Sequence, residues 1–139
     1  KTHPGGKIGK RLLLKIEDLM HAGKKFPKVD PTKTVSDTLL EISNKGLGIA
    51  AIIDKNLNLK GVFTDGDLRR CLNKKINIHE VKISTVMSRN CKTIPTSSLA
   101  IDAIDLMQKY KIYVLIAINK KNKPVGVIRM HDLMITGLI

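Results

Sequence analysis

The chain has 139 residues, 42% of them hydrophobic and 27% charged, which suits one compact domain or two small ones and excludes a disordered chain. Aromatics make up 3%, so the core must be aliphatic, and no apolar run reaches the roughly 18 residues a membrane-spanning helix needs. Lys and Arg outnumber Asp and Glu by 25 to 12, a net charge of +13 that calls for an anionic small ligand or an evenly solvated surface.

Nucleic acid is not the expected partner. Of the basic residues 20 are Lys and 5 are Arg, scattered along the chain, and only Phe26, Phe63, Tyr110 and Tyr113 are available to stack on bases. Cys71 and Cys91 have neither metal spacing nor a disulfide framework, so reduced thiols and a cytoplasmic setting are expected. The abrupt start at Lys1-Thr2-His3-Pro4, with no signal-like stretch, suggests a piece of a longer protein.

Taken in chain order, residues 1–15 read as a Gly-rich, basic linker. After Met20 comes an extended piece at Lys28–Val29, a Pro31-Thr32 turn, and a helix opened by Thr34 whose Val35, Leu39 and Ile42 recur at helical spacing. The apolar run Ile49–Ile53 suits a strand covered on both faces. Asp54-Lys55-Asn56 turns the chain into a strand at 60–64 that runs directly into a helix near 67–73.

The pattern then repeats. Extended residues 92–94 precede Pro95-Thr96, a helix opened by Ser98 with Ala100, Ala103, Ile104 and Met107 inward, the apolar run Val114–Ile118, a returning strand at 124–128 and a helix near 131–137. Gly61-Val62-Phe63-Thr64-Asp65-Gly66-Asp67-Leu68 aligns with Gly126-Val127-Ile128-Arg129-Met130-His131-Asp132-Leu133 at an offset of 65, and Ile16 to Met20 aligns with Ile83 to Met87. The chain is therefore expected to hold two β-α-β-β-α units, 16–77 and 78–139, of a size at which neither carries a sufficient core alone.

The chemistry concentrates at the strand-to-helix junctions. A helix start offers unpaired N–H groups and the positive end of the dipole to a phosphate, and the Thr64 hydroxyl can add a bond. Asp67, one turn on, can accept from both hydroxyls of a ribose. The same T-x-x-D spacing is also that of a capping box that needs no ligand, and both accounts stay open. In the second unit Arg129 replaces the Thr, Asp132 is kept and His131 is added. Cations at a helix start oppose the dipole, which points to an anionic ligand there; a solvent-exposed Arg129 is the alternative. His21 and His79 read as surface residues.

The repeated G-h-h-[T/R]-x-x-D-L pattern inside β-α-β-β-α units resembles a tandem CBS domain pair over nearly the whole chain. The resemblance implies an α/β (α+β) fold whose units are related by a pseudo-twofold, with Thr64, Asp67 and Asp132 on the phosphate and ribose of an adenosine-type ligand. Arg129 departs from the Thr or Ser of that pattern. The joint His3-Pro4-Gly5-Gly6-Lys7-Ile8-Gly9-Lys10-Arg11-Leu12-Leu13-Leu14, together with GVFTDGDLRR over 61–70 and Met130-His131-Asp132-Leu133, is similar to the C-terminal part of D-arabinose-5-phosphate isomerases. In that family a sugar-isomerase domain precedes the pair and interconverts D-ribulose 5-phosphate and D-arabinose 5-phosphate, which supplies the Kdo sugar of lipopolysaccharide.

The resemblance implies that the isomerase domain would lie before Lys1, so no catalytic residue, metal or cofactor is expected in this chain, and His3 is a linker residue. The first functional expectation is a regulatory module that binds CMP-Kdo in the cleft between the units through Thr64, Asp67, Arg129, His131 and Asp132. AMP or ATP would serve Thr64 and Asp67 equally well, with the base recognised by residues 29–34 and 94–98. The alternative is a ligand-independent assembly element that forms a homodimer through Leu68, Leu72, Leu133, Met134 and Leu138.

Overall fold

The computed structural model describes residues 9–139. In chain order its elements are α1 (Ile16–Leu19), β1 (His21–Ala22), β2 (Lys28–Val29), α2 (Val35–Lys45), β3 (Ile49–Ile53), β4 (Leu59–Thr64), α3 (Asp65–Asn73), β5 (Thr93–Pro95), α4 (Ala100–Tyr110), β6 (Val114–Ile118), β7 (Pro124–Arg129) and α5 (Met130–Met134). Short 3₁₀ turns lie at Gly23–Lys25 and Ile83–Thr85.

Two compact units result, and they cut across the repeats at 16–77 and 78–139. One is contiguous, Lys24–Cys91; the other is split, joining the described part of Lys1–Gly23 to Lys92–Ile139. Residues 16–23 therefore pack with the second repeat, and residues 78–91 with the first. Edge pairing is the cause. His21 and Ala22 pair antiparallel with Val127 and Gly126 on β7, while Ser88 and Val62 exchange both backbone hydrogen bonds at 2.9 Å on β4. Each exchange depends on a glycine, because a Cβ on Gly126 would sit 2.8 Å from Met20 Sδ, and one on Gly61 would sit 2.6 Å from the Ser88 carbonyl oxygen.

In the contiguous unit the sheet order is β2-β3-β4, with β2 parallel and β4 antiparallel to β3. All five residues of β3 are buried, as expected of a central strand covered on both faces. Helix α2 starts where Thr34 Oγ1 accepts from the Asp37 N–H and Asp37 Oδ2 accepts from the Thr34 N–H, both at 3.1 Å. It ends at Gly46, whose φ of 72° is the left-handed conformation that glycine adopts without strain. Val35, Ile52, Phe63, Cys71, Ile83 and Met87 form the core, with Leu39, Ile42 and Leu68 packed against it.

The split unit repeats this plan as a four-stranded sheet of order β1-β7-β6-β5. Both units carry a register irregularity at the same place, between Ile52 and Ile53 and between Ala117 and Ile118. The expected inward stripe of α4 is buried, with Ala100, Ala103, Ile104 and Met107 against Ile16, Ile94, Leu115, Ile128 and Leu133. Burial of each larger aliphatic side chain contributes roughly 1.5–3 kcal/mol.

Several local expectations are corrected. Helix α4 is capped at Leu99 and not at Ser98, because the Ser98 carbonyl accepts from the Ile16 N–H at 2.9 Å while the Leu99 N–H donates to Asp102 at 3.3 Å. The final helix stops at Met134, short of the expected 137, as the chain turns through Gly137 at a φ of 79°. Helix α3 begins two residues earlier than expected, at Asp65. His3 lies outside the described residues, as does the first half of the 1–15 linker; of the rest, residues 9–12 are helical and Lys15 bridges to Leu99.

Candidate functional site

Both junctions form where expected, at the ends of the returning strands. In the contiguous unit the buried stretch Gly61, Val62 and Phe63 delivers Thr64 to the start of α3, and Asp67 lies one turn later at 2% exposure. A carboxylate has about four acceptor positions, and at Asp67 four donors fill them. Oδ2 accepts from the Thr64 N–H at 2.9 Å and from the Thr64 hydroxyl at 3.3 Å. Oδ1 accepts from the Ser88 hydroxyl at 2.6 Å and from Arg70 Nη2. The Thr64 hydroxyl is thus turned onto the carboxylate, and the Arg70 side chain is 62% exposed.

The split unit fills the same four positions differently. Asp132 Oδ2 accepts from the Arg129 N–H at 2.8 Å and from Arg129 Nε at 3.2 Å, and Oδ1 accepts from Arg129 Nη2 at 2.9 Å. His21 Nε2 lies 2.9 Å from Oδ1, and opposite a carboxylate that nitrogen is the donor. Burial of the 7% exposed Asp132 side chain pushes its pKa up. The bonds from Arg129 and His21 outweigh that push and hold the carboxyl below its ordinary value. The Arg129 side chain is a quarter exposed, and its guanidinium is already paired with Asp132. Its guanidinium neutralises the carboxylate at its own helix start, which removes the conflict with the dipole.

The expectation for His21 is overturned, because it is a quarter exposed and bonded to Asp132 across 111 residues of sequence. His131 and His79 are exposed, and the His131 imidazole takes no part in the Arg129–Asp132–His21 cluster. Leu133 is fully buried in its unit's core and Leu68 and Leu138 are partly buried, which leaves Leu72 and Met134 exposed among the five residues expected at a self-contact.

The segments expected to recognise a base are not brought to the junction of their own unit. Parallel pairing sets Val29 beside Ile52 and Pro95 beside Ile118, while Thr64 pairs with Ile49 and Arg129 with Val114 at the opposite ends of β3 and β6. Three strand steps separate the two positions on β3 and four on β6, about 10 and 13 Å. The Pro95–Ser97 stretch instead borders a cavity of about 360 Å³ with Lys15, Glu17 and Lys120.

Three residues of the clusters escape a motif search. His21 and Ser88 are joined to their carboxylates by edge pairing, and Arg70 lies one helical turn past Asp67. The repeat itself carries a signal, since Met20-His21 and Met87-Ser88 occupy matching positions in the two repeats. Among the described residues no buried side-chain nitrogen or oxygen lacks a hydrogen-bond partner, and no group of three or more His, Cys, Asp or Glu could hold a metal ion. No helix among them is long and apolar enough to cross a membrane.

Two β-α-β-β-α units, each with a buried Asp one turn into the helix that follows the returning strand, define a tandem CBS pair. The chain belongs to the CBS domain family, whose pattern matches residues 16–74 and 83–136. Within that family it is similar to arabinose 5-phosphate isomerase KdsD: it is 41% identical to the Pseudomonas aeruginosa protein and 37% identical to that of Escherichia coli K12, each over 138 residues and 99% of this chain. The chain spans 42% of the length of those relatives.

Solved structures share the fold. CBSX2 in complex with AMP superposes with a TM-score of 0.74 at 24% identity, covering 90% of this chain and 96% of that one. A CBS domain protein of Pyrobaculum aerophilum complexed with AMP gives 0.76 at 16% identity, covering 86% and 89%.

Proposed function

We propose that this chain is the regulatory nucleotide-binding part of an arabinose 5-phosphate isomerase, in which isomerisation of the sugar phosphate is carried out by the remainder of the protein. The ligand is an anionic nucleotide. A sugar hydroxyl donates to Asp67 in place of Arg70, and the released guanidinium, with the Thr64 hydroxyl and the start of α3, takes the phosphate. The observation that carries this reading is the unequal holding of the four donors at Asp67. The Thr64 N–H belongs to the backbone and Ser88 is held by its pairing with Val62, whereas the Thr64 hydroxyl reaches Oδ2 at 3.3 Å and Arg70 makes one bond from a side chain that is 62% exposed.

CMP-Kdo is the proposed ligand, because its phosphate and carboxylate suit a protein of net charge +13 and it carries the Kdo sugar that is built from the isomerase product. In the split unit the same ligand class meets Arg129, His131 and Asp132, where a hydroxyl reaches the carboxylate only by displacing an internal donor. AMP and ATP are the competing ligands, AMP being the ligand in two solved structures of the same fold. Parallel calorimetric titration with CMP-Kdo, CMP, AMP and ATP at fixed salt tests the assignment. Binding of CMP-Kdo no tighter than CMP or AMP sinks the feedback reading.

A second reading, assembly without a ligand, is favoured by the exposed apolar side chains of the split unit: Leu13, Met134, Ile135 and Ile139 are each more than half exposed. It is compatible with the first. Silence from all four nucleotides together with a concentration-dependent homodimer would leave it standing alone.

A further inference from the structure

In the split unit the donor to Asp132 other than Arg129 is His21, which belongs to the N-terminal segment and whose backbone pairs with Val127 as that of Ser88 pairs with Val62. Arg129 supplies three of the four bonds to Asp132, one of them from its backbone, and its guanidinium grips both carboxylate oxygens. His21 supplies the fourth alone. At Asp67 the corresponding edge donor is Ser88, whose backbone is fixed by two hydrogen bonds to Val62, and the lone exposed donor is Arg70 on α3 itself. Opening Asp67 therefore moves a helix side chain, whereas opening Asp132 moves β1.

Strand β1 is two residues long and is the edge of its sheet. It follows α1, whose Ile16 and Glu17 N–H groups donate to the Ser98 and Thr96 carbonyls, and residues 9–14 precede that. Besides core packing, the His21–Asp132 bond is a side-chain hydrogen bond between this leading segment and the junction helix. We propose that His21 is a positioning residue that couples occupancy of Asp132 to the order of residues 9–23: a ligand hydroxyl that takes Oδ1 displaces His21 and loosens the segment. The ligand-driven half rests on the nucleotide-binding reading given above. The tether itself does not.

Both halves are read by hydrogen–deuterium exchange of the full chain, as wild type, His21→Ala, His21→Gln and Ser88→Ala, each alone and with saturating CMP or AMP. Without nucleotide, loss of one hydrogen bond to a charged group predicts about tenfold faster exchange over residues 15–23 in His21→Ala. His21→Gln, which keeps an N–H donor, restores slow exchange, and Ser88→Ala leaves those residues at the wild-type rate. Equal exchange in wild type and His21→Ala, or no rescue by glutamine, overturns the tether. With nucleotide, exchange in the same residues rises in wild type and is unchanged in His21→Ala; a rise of equal size in both overturns the coupling. A wild type that binds neither nucleotide removes the ligand-driven half with the reading it rests on, and the ligand-free comparison still decides the tether.

Discussion

Replacing Arg129 with alanine strips two of the four donors from a carboxylate whose side chain is 7% exposed, leaving the backbone N–H of residue 129 and His21. Removing one partner of a buried pair costs about 3–5 kcal/mol, and the two donors that stay behind bring the expected loss to about 2–4 kcal/mol. Arg70→Ala is the matched comparison. It removes one donor from Asp67, and because the Arg70 side chain is 62% exposed the pair is screened by water, so the expected loss is at most about 1 kcal/mol. The difference, about 2 kcal/mol, corresponds to roughly 10 °C in the midpoint of a unit this small. The chain has no Trp, so urea and thermal unfolding followed by far-UV circular dichroism is the suitable assay. If Arg70→Ala costs as much as Arg129→Ala, or if Arg129→Ala costs less than about 1 kcal/mol, the assignment of one exposed donor and one closed cluster is wrong.

Gly61→Ala forces a methyl group against the Ser88 carbonyl and Met87 Sδ, displacing a paired backbone and the Ser88 bond to Asp67; a loss of about 2–4 kcal/mol is expected in the same assay, against less than 1 kcal/mol for alanine at Gly66, where the space is open to 3.7 Å. Asp132 has a folded pKa below its unfolded value near 3.8, so the folded state binds the proton less tightly than the unfolded one. Its contribution is complete above about pH 4 and is lost as pH falls through the depressed folded value. Asp132→Asn should therefore flatten the acid limb of the stability curve, and an unchanged limb would refute this. Leu133→Ala, which empties a fully buried site, should cost about 2–5 kcal/mol, whereas Met134→Ala at 58% exposure should cost under 1 kcal/mol and report instead on self-association by sedimentation.

The elements were legible because their periodicities are unambiguous. Five consecutive apolar residues at Ile49–Ile53 and again at Val114–Ile118, bounded by turns, suit a covered strand, and Thr34 announces α2 as its N-cap, where it forms a capping box with Asp37. Asp67 and Asp132 stand out because the repeat displays the Asp twice, and Thr64 because it opens the same junction that Arg129 opens in the second unit. The exchange of leading segments was not, since it is decided by which edge strand fits past Gly61 and Gly126, a steric fact between residues far apart in sequence. His21 could not be assigned for the same reason: nothing near it in the chain reveals a carboxylate 111 residues away. Arg129 shows the limit of dipole arguments, because its guanidinium folds back on Asp132 and the charge at the helix start is already cancelled.

The most direct test of Asp67 as the ligand-binding carboxylate is calorimetric titration of wild type, Asp67→Asn and Arg70→Ala with CMP-Kdo and AMP, with folding of each variant checked by circular dichroism. Expected are binding in the wild type, loss of at least about tenfold in affinity in folded Asp67→Asn, and a weakening in Arg70→Ala that diminishes at high salt as a phosphate contact should. Wild-type affinity in Asp67→Asn would contradict that role for Asp67.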